Sequence, residues 1–148
     1  MMADQVTITD DGPWLRAAVA LPGCPAERAL AAFTDPAQVA AWWRGELRTT
    51  LAENGPYVVY FPPLDQTMTG TVRSYQPPSE LEFSWGWAHL PDDPPRSETV
   101  RVSPGALTIQ HGPYAADEAG QEARAEHRAG CEHFLPRMAA GLGGQPGS

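Results

Sequence analysis

The chain has 148 residues, and its 18 acidic and 10 basic side chains give a formal net charge of −8. The length fits one domain of residues 1–148, and the balance of 42% hydrophobic to 19% charged residues is typical of a globular protein rather than a disordered one. Because an acidic chain repels phosphate backbones and anionic membrane surfaces, we expect neither a nucleic acid nor a membrane as a partner.

The N-terminal segment and the two cysteines predict a cytoplasmic protein. Residues 1–12 are polar and acidic and lack the basic and apolar regions of a signal peptide, and no window is apolar over the length of a membrane span. Cys24 and Cys131 lie far apart in the chain, which favours reduced thiols over a disulfide framework.

The first predicted elements are one strand and two short helices. A half-alternating apolar run after an Asp-Gly-Pro turn indicates a first strand over residues 14–21. The alanine-rich residues 26–33 predict a short helix. Asp35, followed by proline, is a suitable N-cap for a second helix, which carries the adjacent pair Trp42 and Trp43.

Six further strands are predicted to follow as a meander. Turn signals such as Asn-Gly and Pro-Pro pairs separate them, and several alternate between apolar and polar residues. The predicted strands cover residues 47–51, 57–61, 67–75, 81–85, 98–102 and 107–111.

A long helix is predicted at the C-terminal end, over residues 117 to about 140. Gly130 and Pro136 weaken or kink such a helix. The Gly-, Pro- and Ser-rich residues 141–148 predict a flexible tail, which leaves an ordered core over about residues 13–140. One apolar stripe at helical spacing comprises His127, Cys131, Phe134, Leu135 and Met138.

This order of elements predicts an α+β helix-grip fold. A curved antiparallel sheet of six to seven strands wraps around the long C-terminal helix, with two short helices after the first strand. The apolar face of such a sheet needs a cover, and the C-terminal helix is the one predicted element long enough to provide it. Because the space between a curved sheet and a helix is often incompletely filled, an apolar cavity is expected there.

Four segments resemble a known family when they are taken in chain order. They are residues 25–36 followed by Trp42-Trp43, residues 70–72, residues 77–85 and residues 107–111. With these motifs the chain resembles the START-like (SRPBCC) superfamily, and within it the bacterial homologues of the activator of the 90-kDa heat-shock-protein ATPase.

The resemblance implies a hydrophobic cavity and small-molecule binding, but it transfers no catalytic residue; we expect no cofactor. Some members of the superfamily are polyketide cyclases or hydrolases, and others are associated with chaperones or with resistance and stress operons. The chain departs from the family at Asn54-Gly55-Pro56, where a Gly-Gly pair is common, and at Gly130-Cys131, where Gly-Trp is common.

The leading prediction from the sequence is a non-enzymatic module that binds a small hydrophobic or aromatic molecule between the sheet and the last helix. The predicted contacts are the inward-facing side chains of both elements, together with the tryptophan pair. They are Trp42, Trp43, Tyr57, Val59, Phe61, Val72, Leu81, Phe83, Trp85, Ile109, His111, His127, Cys131, Phe134, Leu135 and Met138.

A metal site and a catalytic site are weaker interpretations. His127 and Cys131 are neighbours on one helix face and His111 is on a strand that can lie opposite, but a fourth zinc ligand is missing, so we expect no metal. If the protein is instead a cyclase- or hydrolase-type enzyme, the candidates for acid–base chemistry are Tyr75, Arg101 and His111. A chaperone-associated module and a homodimer stay open as alternatives, since the acidic composition favours neither.

Overall fold

In the computed structural model, which describes residues 5–143, eight strands form one antiparallel sheet and three helices accompany it. The α+β class, the two short helices and the long C-terminal helix are therefore confirmed. The elements are β1 (Val6–Asp11), β2 (Trp14–Ala20), α1 (Ala26–Thr34), α2 (Pro36–Trp43), β3 (Glu46–Thr49), β4 (Pro56–Phe61), β5 (Gln66–Gln76), β6 (Glu80–Trp87), β7 (Arg96–Ser103), β8 (Ala106–Gly112) and α3 (Glu118–Gly143).

The strands lie in the order β1-β2-β8-β7-β6-β5-β4-β3, so β3 to β8 form a meander and β2 pairs with its last strand. The prediction of six to seven strands was wrong, because the sheet has eight and β1 was not predicted. This edge strand is exposed along most of its length, and Val6 and Ile8 are its side chains that pack against the core. The sequence does carry a strand signal here, since Val6 to Thr9 alternates between apolar and polar β-branched residues before an Asp-Gly turn, and the sequence analysis overlooked it.

The second short helix, α2, has a side-chain cap at its start and a left-handed residue at its end. The Asp35 carboxylate accepts a hydrogen bond of 3.0 Å from the Ala37 backbone N–H, which caps α2 at its start. The helix ends at Arg44, which adopts a left-handed conformation with φ of 61°. The tryptophan pair at the end of α2 is buried, and the Trp42 indole N–H donates to the backbone carbonyl of Ala32 at 2.7 Å.

The helix α3 has two halves of different character. Its C-terminal half inserts Leu135, Met138 and Leu142 into the core, whereas small residues such as Ala123 and Gly130 face the sheet in its N-terminal half. The helix extends through Gly143, beyond the predicted end near residue 140. The remainder of the predicted tail, residues 144–148, lies outside the described residues.

The core fills the space between the sheet and the C-terminal half of α3. Tyr57 and Phe83 stack with ring centroids 3.9 Å apart, and the Tyr57 hydroxyl donates a 2.6 Å hydrogen bond to the backbone carbonyl of Phe33. Cys24 is buried and Cys131 half-buried, and both are free thiols. Among residues 5–143, no helix combines the length and hydrophobicity that crossing a bilayer requires.

Candidate functional site

A cavity of about 530 Å³ lies between the sheet and the N-terminal half of α3. Small residues on α3 leave this space open, since the helix presents Ala119, Ala123 and Gly130 to it. At its margin lie Leu64 and Leu90, which are the exposed large apolar side chains of the described chain.

A cluster of aromatic rings forms one part of the cavity wall. Trp43 stacks on Trp42 at a centroid distance of 4.9 Å and on Trp85 at 5.9 Å. Trp87 contacts Trp85 edge-to-face at 5.9 Å, and Phe61 lies 5.5 Å from Trp43. Such a continuous apolar wall is suited to a flat hydrophobic ligand.

The predicted contact residues divide into two groups. The wall includes Trp42, Trp43, Phe61, Trp85, Ile109, His111, His127, Cys131, Phe134 and Leu135. The others pack inside the core and do not line the cavity; they are Tyr57, Val59, Val72, Leu81, Phe83 and Met138.

Of the three candidates for acid–base chemistry, only His111 reaches the cavity. Arg101 points to solvent on β7 and pairs with Glu80 at 3.2 Å. Tyr75 packs at the edge of the core and is not part of the wall. The alternation of β7 explains the position of Arg101, because its neighbours Val100 and Val102 face inward.

The sequence analysis missed Glu98, which joins the two cavity histidines. Its Oε1 lies 3.0 Å from His111 Nδ1 and 3.6 Å from His127 Nε2. The imidazole rings are stacked, with centroids 3.6 Å apart and an interplanar angle of 12°. Trp85 meets both rings edge-to-face, at 4.9 and 5.0 Å.

The charges of this cluster follow from burial and close partners. Burial favours the neutral form of Glu98, but hydrogen bonds and attraction from both histidines lower its pKa to about 2. Burial, reinforced by the charge of His127, lowers the pKa of His111 to about 4. Burial also opposes charge on His127, yet the Cys131 thiol and Glu98 together raise its pKa to about 10. At neutral pH the cluster therefore holds one anion, one cation and one neutral imidazole.

Glu98, His111 and His127 place one donor atom each within 4.8 Å of one another, as a metal site would. However, a zinc ion bonds imidazole in the ring plane at about 2.0–2.1 Å. Two nearly parallel rings separated by 3.6 Å do not direct their lone pairs to one such point. In this arrangement Glu98 is hydrogen-bonded to His111 and ion-paired with His127, and metal binding requires the rings to rotate apart.

Arg96 adds a second buried charge to the wall, and it too was missed. Its side chain is 7% exposed, it pairs with Asp93 at 2.8 Å, and its guanidinium lies 4.7 Å above the Tyr114 ring. The Nε of Arg96 is buried without a hydrogen-bond partner among the described residues. An unpaired buried donor is costly, so the Arg96 side chain is held in place at some expense of stability.

The β7–β8 hairpin contained a signal for this cluster. Pro104-Gly105 is a two-residue turn between Ser103 and Ala106, which fixes the register and places Glu98 opposite His111. Counting outward from the turn along both strands therefore pairs Glu98 with His111.

Comparison with known proteins identifies a family for most of the chain. The family model described as Activator of Hsp90 ATPase homolog 1-like protein matches residues 23–143. No functionally curated protein matches the chain at a significant level.

Solved structures share the fold at low sequence identity. DynU16, a protein in the dynemicin biosynthetic locus, is 24% identical with a TM-score of 0.72 and covers 88% of this chain, which corresponds to only 46% of that longer chain. The solution structure of CalU16 from Micromonospora echinospora is 19% identical over 100% of this chain and 81% of its own, with a TM-score of 0.74. A protein from Arthrobacter aurescens is 18% identical over 95% of this chain and 93% of its own, with a TM-score of 0.71.

Proposed function

The chain belongs to the family of activator of Hsp90 ATPase homolog 1-like proteins, which its motifs resemble, and we propose that it binds a small aromatic molecule in the cavity between the sheet and α3. The observation that carries this proposal is the continuous wall of Trp43, Trp85, Trp87 and Phe61 around about 530 Å³ of open space. We also propose that residues 1–148 form one domain, because the sheet and α3 contribute to one core cluster.

Burial of the ligand's apolar surface supplies the binding energy. Each 100 Å² of apolar surface removed from water contributes about 2.5 kcal/mol, before the cost of lost motion. Aromatic side chains add favourable stacking geometry to this term.

The polar end of the cavity defines the ligand further. The Arg96 side chain brings a positive charge to the wall, so a ligand with a carboxylate or carbonyl oxygen on its ring system has a partner there that a pure hydrocarbon does not use. DynU16 is from a biosynthetic locus, and its likeness in fold is compatible with a ligand of this kind.

Calorimetric titration with 2-naphthoate and the neutral 2-naphthalenemethanol tests this proposal. We expect 2-naphthoate to bind with a dissociation constant on the order of micromolar. Ala123→Phe fills the cavity and should weaken binding at least tenfold, whereas Ala125→Phe alters an exposed position of the same helix and should leave it unchanged. Arg96→Met should remove the preference for the anion.

Two results would overturn the proposal. One is the absence of binding by either naphthalene derivative. The other is equal affinity in the Ala123→Phe and Ala125→Phe variants, which would mean that the ligand binds elsewhere.

An enzyme of the cyclase or hydrolase type is the second candidate, favoured by the Glu98–His127 ion pair and the neutral His111 in the same wall. Such groups can give and accept protons from a bound substrate. Turnover of 2-naphthyl acetate beyond one equivalent, lost in His111→Gln, would support it; a rate equal to that of the buffer would exclude this esterase activity.

A chaperone-associated role finds less support than ligand binding. Leu64 and Leu90, the exposed large apolar side chains among residues 5–143, lie at the cavity margin. Two leucines are a small area compared with the apolar patches that mark protein-binding surfaces. Absence of capture by an immobilised Hsp90 chaperone is the expected result, and specific capture would favour the chaperone role.

A further inference from the structure

The carboxylate of Glu98 lies in the cavity wall with only one of its oxygens engaged. Its Oε1 lies 3.0 Å from His111 Nδ1 and 3.6 Å from His127 Nε2, whereas its Oε2 has no hydrogen-bond partner in the described part of the chain. In that part, the buried polar side-chain atoms without a partner are the Nε atoms of Arg96 and Arg124, and Oε2 is not one of them. Because Oε2 is neither bonded nor sealed off, and Glu98 lines the cavity, this oxygen is open to the cavity.

We propose that Glu98 Oε2 accepts a hydrogen bond from the ligand, so that the cavity selects an aromatic compound with a hydroxyl group on its ring. The inference rests on the proposed function, because the cavity must first bind an aromatic molecule. It deepens that function by adding a hydrogen-bond donor to the ligand and a specificity-determining residue to the wall.

The charge of Glu98 makes its Oε2 an acceptor and not a donor. Burial raises the pKa of the carboxyl group, but the hydrogen bonds and the attraction of His111 and His127 outweigh burial and lower the pKa to about 2. The group is therefore ionised at neutral pH, and an ionised carboxylate has no proton to donate. A ligand oxygen that only accepts is repelled at this point, whereas an O–H group gives the free oxygen its missing partner.

His111 presents a second acceptor in the same wall. Its Nδ1 faces the carboxylate oxygen at 3.0 Å, so this nitrogen carries the proton of the ring. Burial, together with the charge of His127, lowers the pKa of His111 to about 4, and its Nε2 therefore keeps a free lone pair at neutral pH. The carboxylate and the imidazole thus both lack a donor, which a hydroxyl group supplies.

The aromatic wall lies directly beside these acceptors. Trp85 meets His111 and His127 edge-to-face, with ring centroids 4.9 and 5.0 Å away, and on its other side it stacks on Trp43 at 5.9 Å. A flat ligand on these indoles lies next to the Glu98 cluster, and a substituent on its rim can reach the carboxylate. The hydroxyl of an aromatic ring is more acidic than that of an alcohol and is correspondingly a stronger donor to an anion.

Calorimetric titration with 2-naphthol and its methyl ether, 2-methoxynaphthalene, tests the proposal. The two compounds have the same rings and the same oxygen, but only 2-naphthol carries an O–H group. At pH 7 we expect the wild type to bind 2-naphthol at least about tenfold more tightly than the ether, which is the effect of one hydrogen bond to a charged acceptor.

Glu98→Gln changes the decisive atom with little change in shape. The amide oxygen of the new side chain should accept the proton of His111 Nδ1, which turns the NH₂ group toward the cavity. The preference for 2-naphthol should then disappear, because the wall offers a donor where it offered an acceptor. Glu82→Gln is the matched control on the outer face of the neighbouring strand β6 and should keep the preference. Circular dichroism confirms that each variant is folded.

The ratio of the two affinities separates ligand recognition from a structural role. If Glu98→Gln weakens both compounds by the same factor and keeps the ratio, Glu98 only supports the fold and the proposal is overturned. Loss of the preference in Glu126→Gln alone, at an exposed carboxylate in the same wall, also overturns it.

The wild-type comparison needs no variant, so it decides the question even if Glu98→Gln does not fold. Equal binding of 2-naphthol and its ether refutes the role of Glu98 Oε2 and leaves the binding cavity standing. If neither compound binds, the cavity proposal itself fails.

Discussion

Replacement of Gly130 by alanine should stabilise the protein and narrow the cavity at the same time. Gly130 lies inside α3, and a Cβ built on it meets no atom within 4 Å. The added methyl group therefore brings neither a clash nor a new packing contact, and the change reduces to helix propensity. Alanine is favoured over glycine in a helix interior by about 0.8–1 kcal/mol. For a chain of this size, that gain raises the melting temperature by about 2–4 °C.

Gly120→Ala is the matched control within the same helix. A Cβ at Gly120 would collide with the backbone carbonyl of Ala115, so the same substitution should lower the melting temperature there. Thermal unfolding followed by circular dichroism measures both variants against the wild type. If Gly130→Ala melts at or below the wild-type temperature, the space seen around Gly130 does not exist in solution and the reasoning is refuted.

Three further predictions concern polar groups that hold the fold together. Urea unfolding should show that the free energy of unfolding is maximal near pH 6.5. Between pH 6.5 and 4, His111 is protonated in the unfolded chain but stays neutral in the folded protein, so stability falls as the pH is lowered. Between pH 6.5 and 10, His127 loses its proton in the unfolded chain but keeps it in the folded protein, so stability falls as the pH is raised. Glu98→Gln should flatten the alkaline side of that profile, and a wild-type curve flat from pH 6.5 to 9 would contradict the assignment. Asp35→Ala, which removes the α2 cap, should cost about 1 kcal/mol in the same assay, and no change would exclude a capping role. Tyr57→Phe should cost about 1–3 kcal/mol by leaving a buried carbonyl without its donor, and a neutral result would mean that water reaches it.

The fold could be predicted from the sequence wherever burial leaves a regular pattern. The alternation in β6 and β8 and the apolar spacing on α3 each record one buried face, and the structure has these elements where the patterns predict them. In β1 the signal was present but short: Val6 to Thr9 alternates between apolar and polar β-branched residues, and an Asp-Gly turn follows. The strand was overlooked because the whole N-terminal segment was assigned by its polar and acidic composition.

The site was harder to predict because inward orientation does not separate a cavity wall from a filled core. Phe83 and Trp85 are two positions apart on β6 and face the same side of the sheet. Phe83 nevertheless packs against Tyr57 in the core, whereas Trp85 reaches the cavity. That difference depends on how far α3 stands from the sheet at each point. Glu98 was missed for another reason: a charged residue in a strand is normally assigned to the solvent face.

Substitutions in the two halves of α3 have different consequences, because one half anchors the helix to the core and the other faces the cavity. Leu135 and Met138 hold the helix to the core, so changes there affect whether the chain folds. Ala123 and Gly130 are not deeply packed, and changes there alter the volume and shape offered to a ligand. On the proposed function, single substitutions at these cavity-facing positions would change which small molecule fits, while the rest of the scaffold stays as it is.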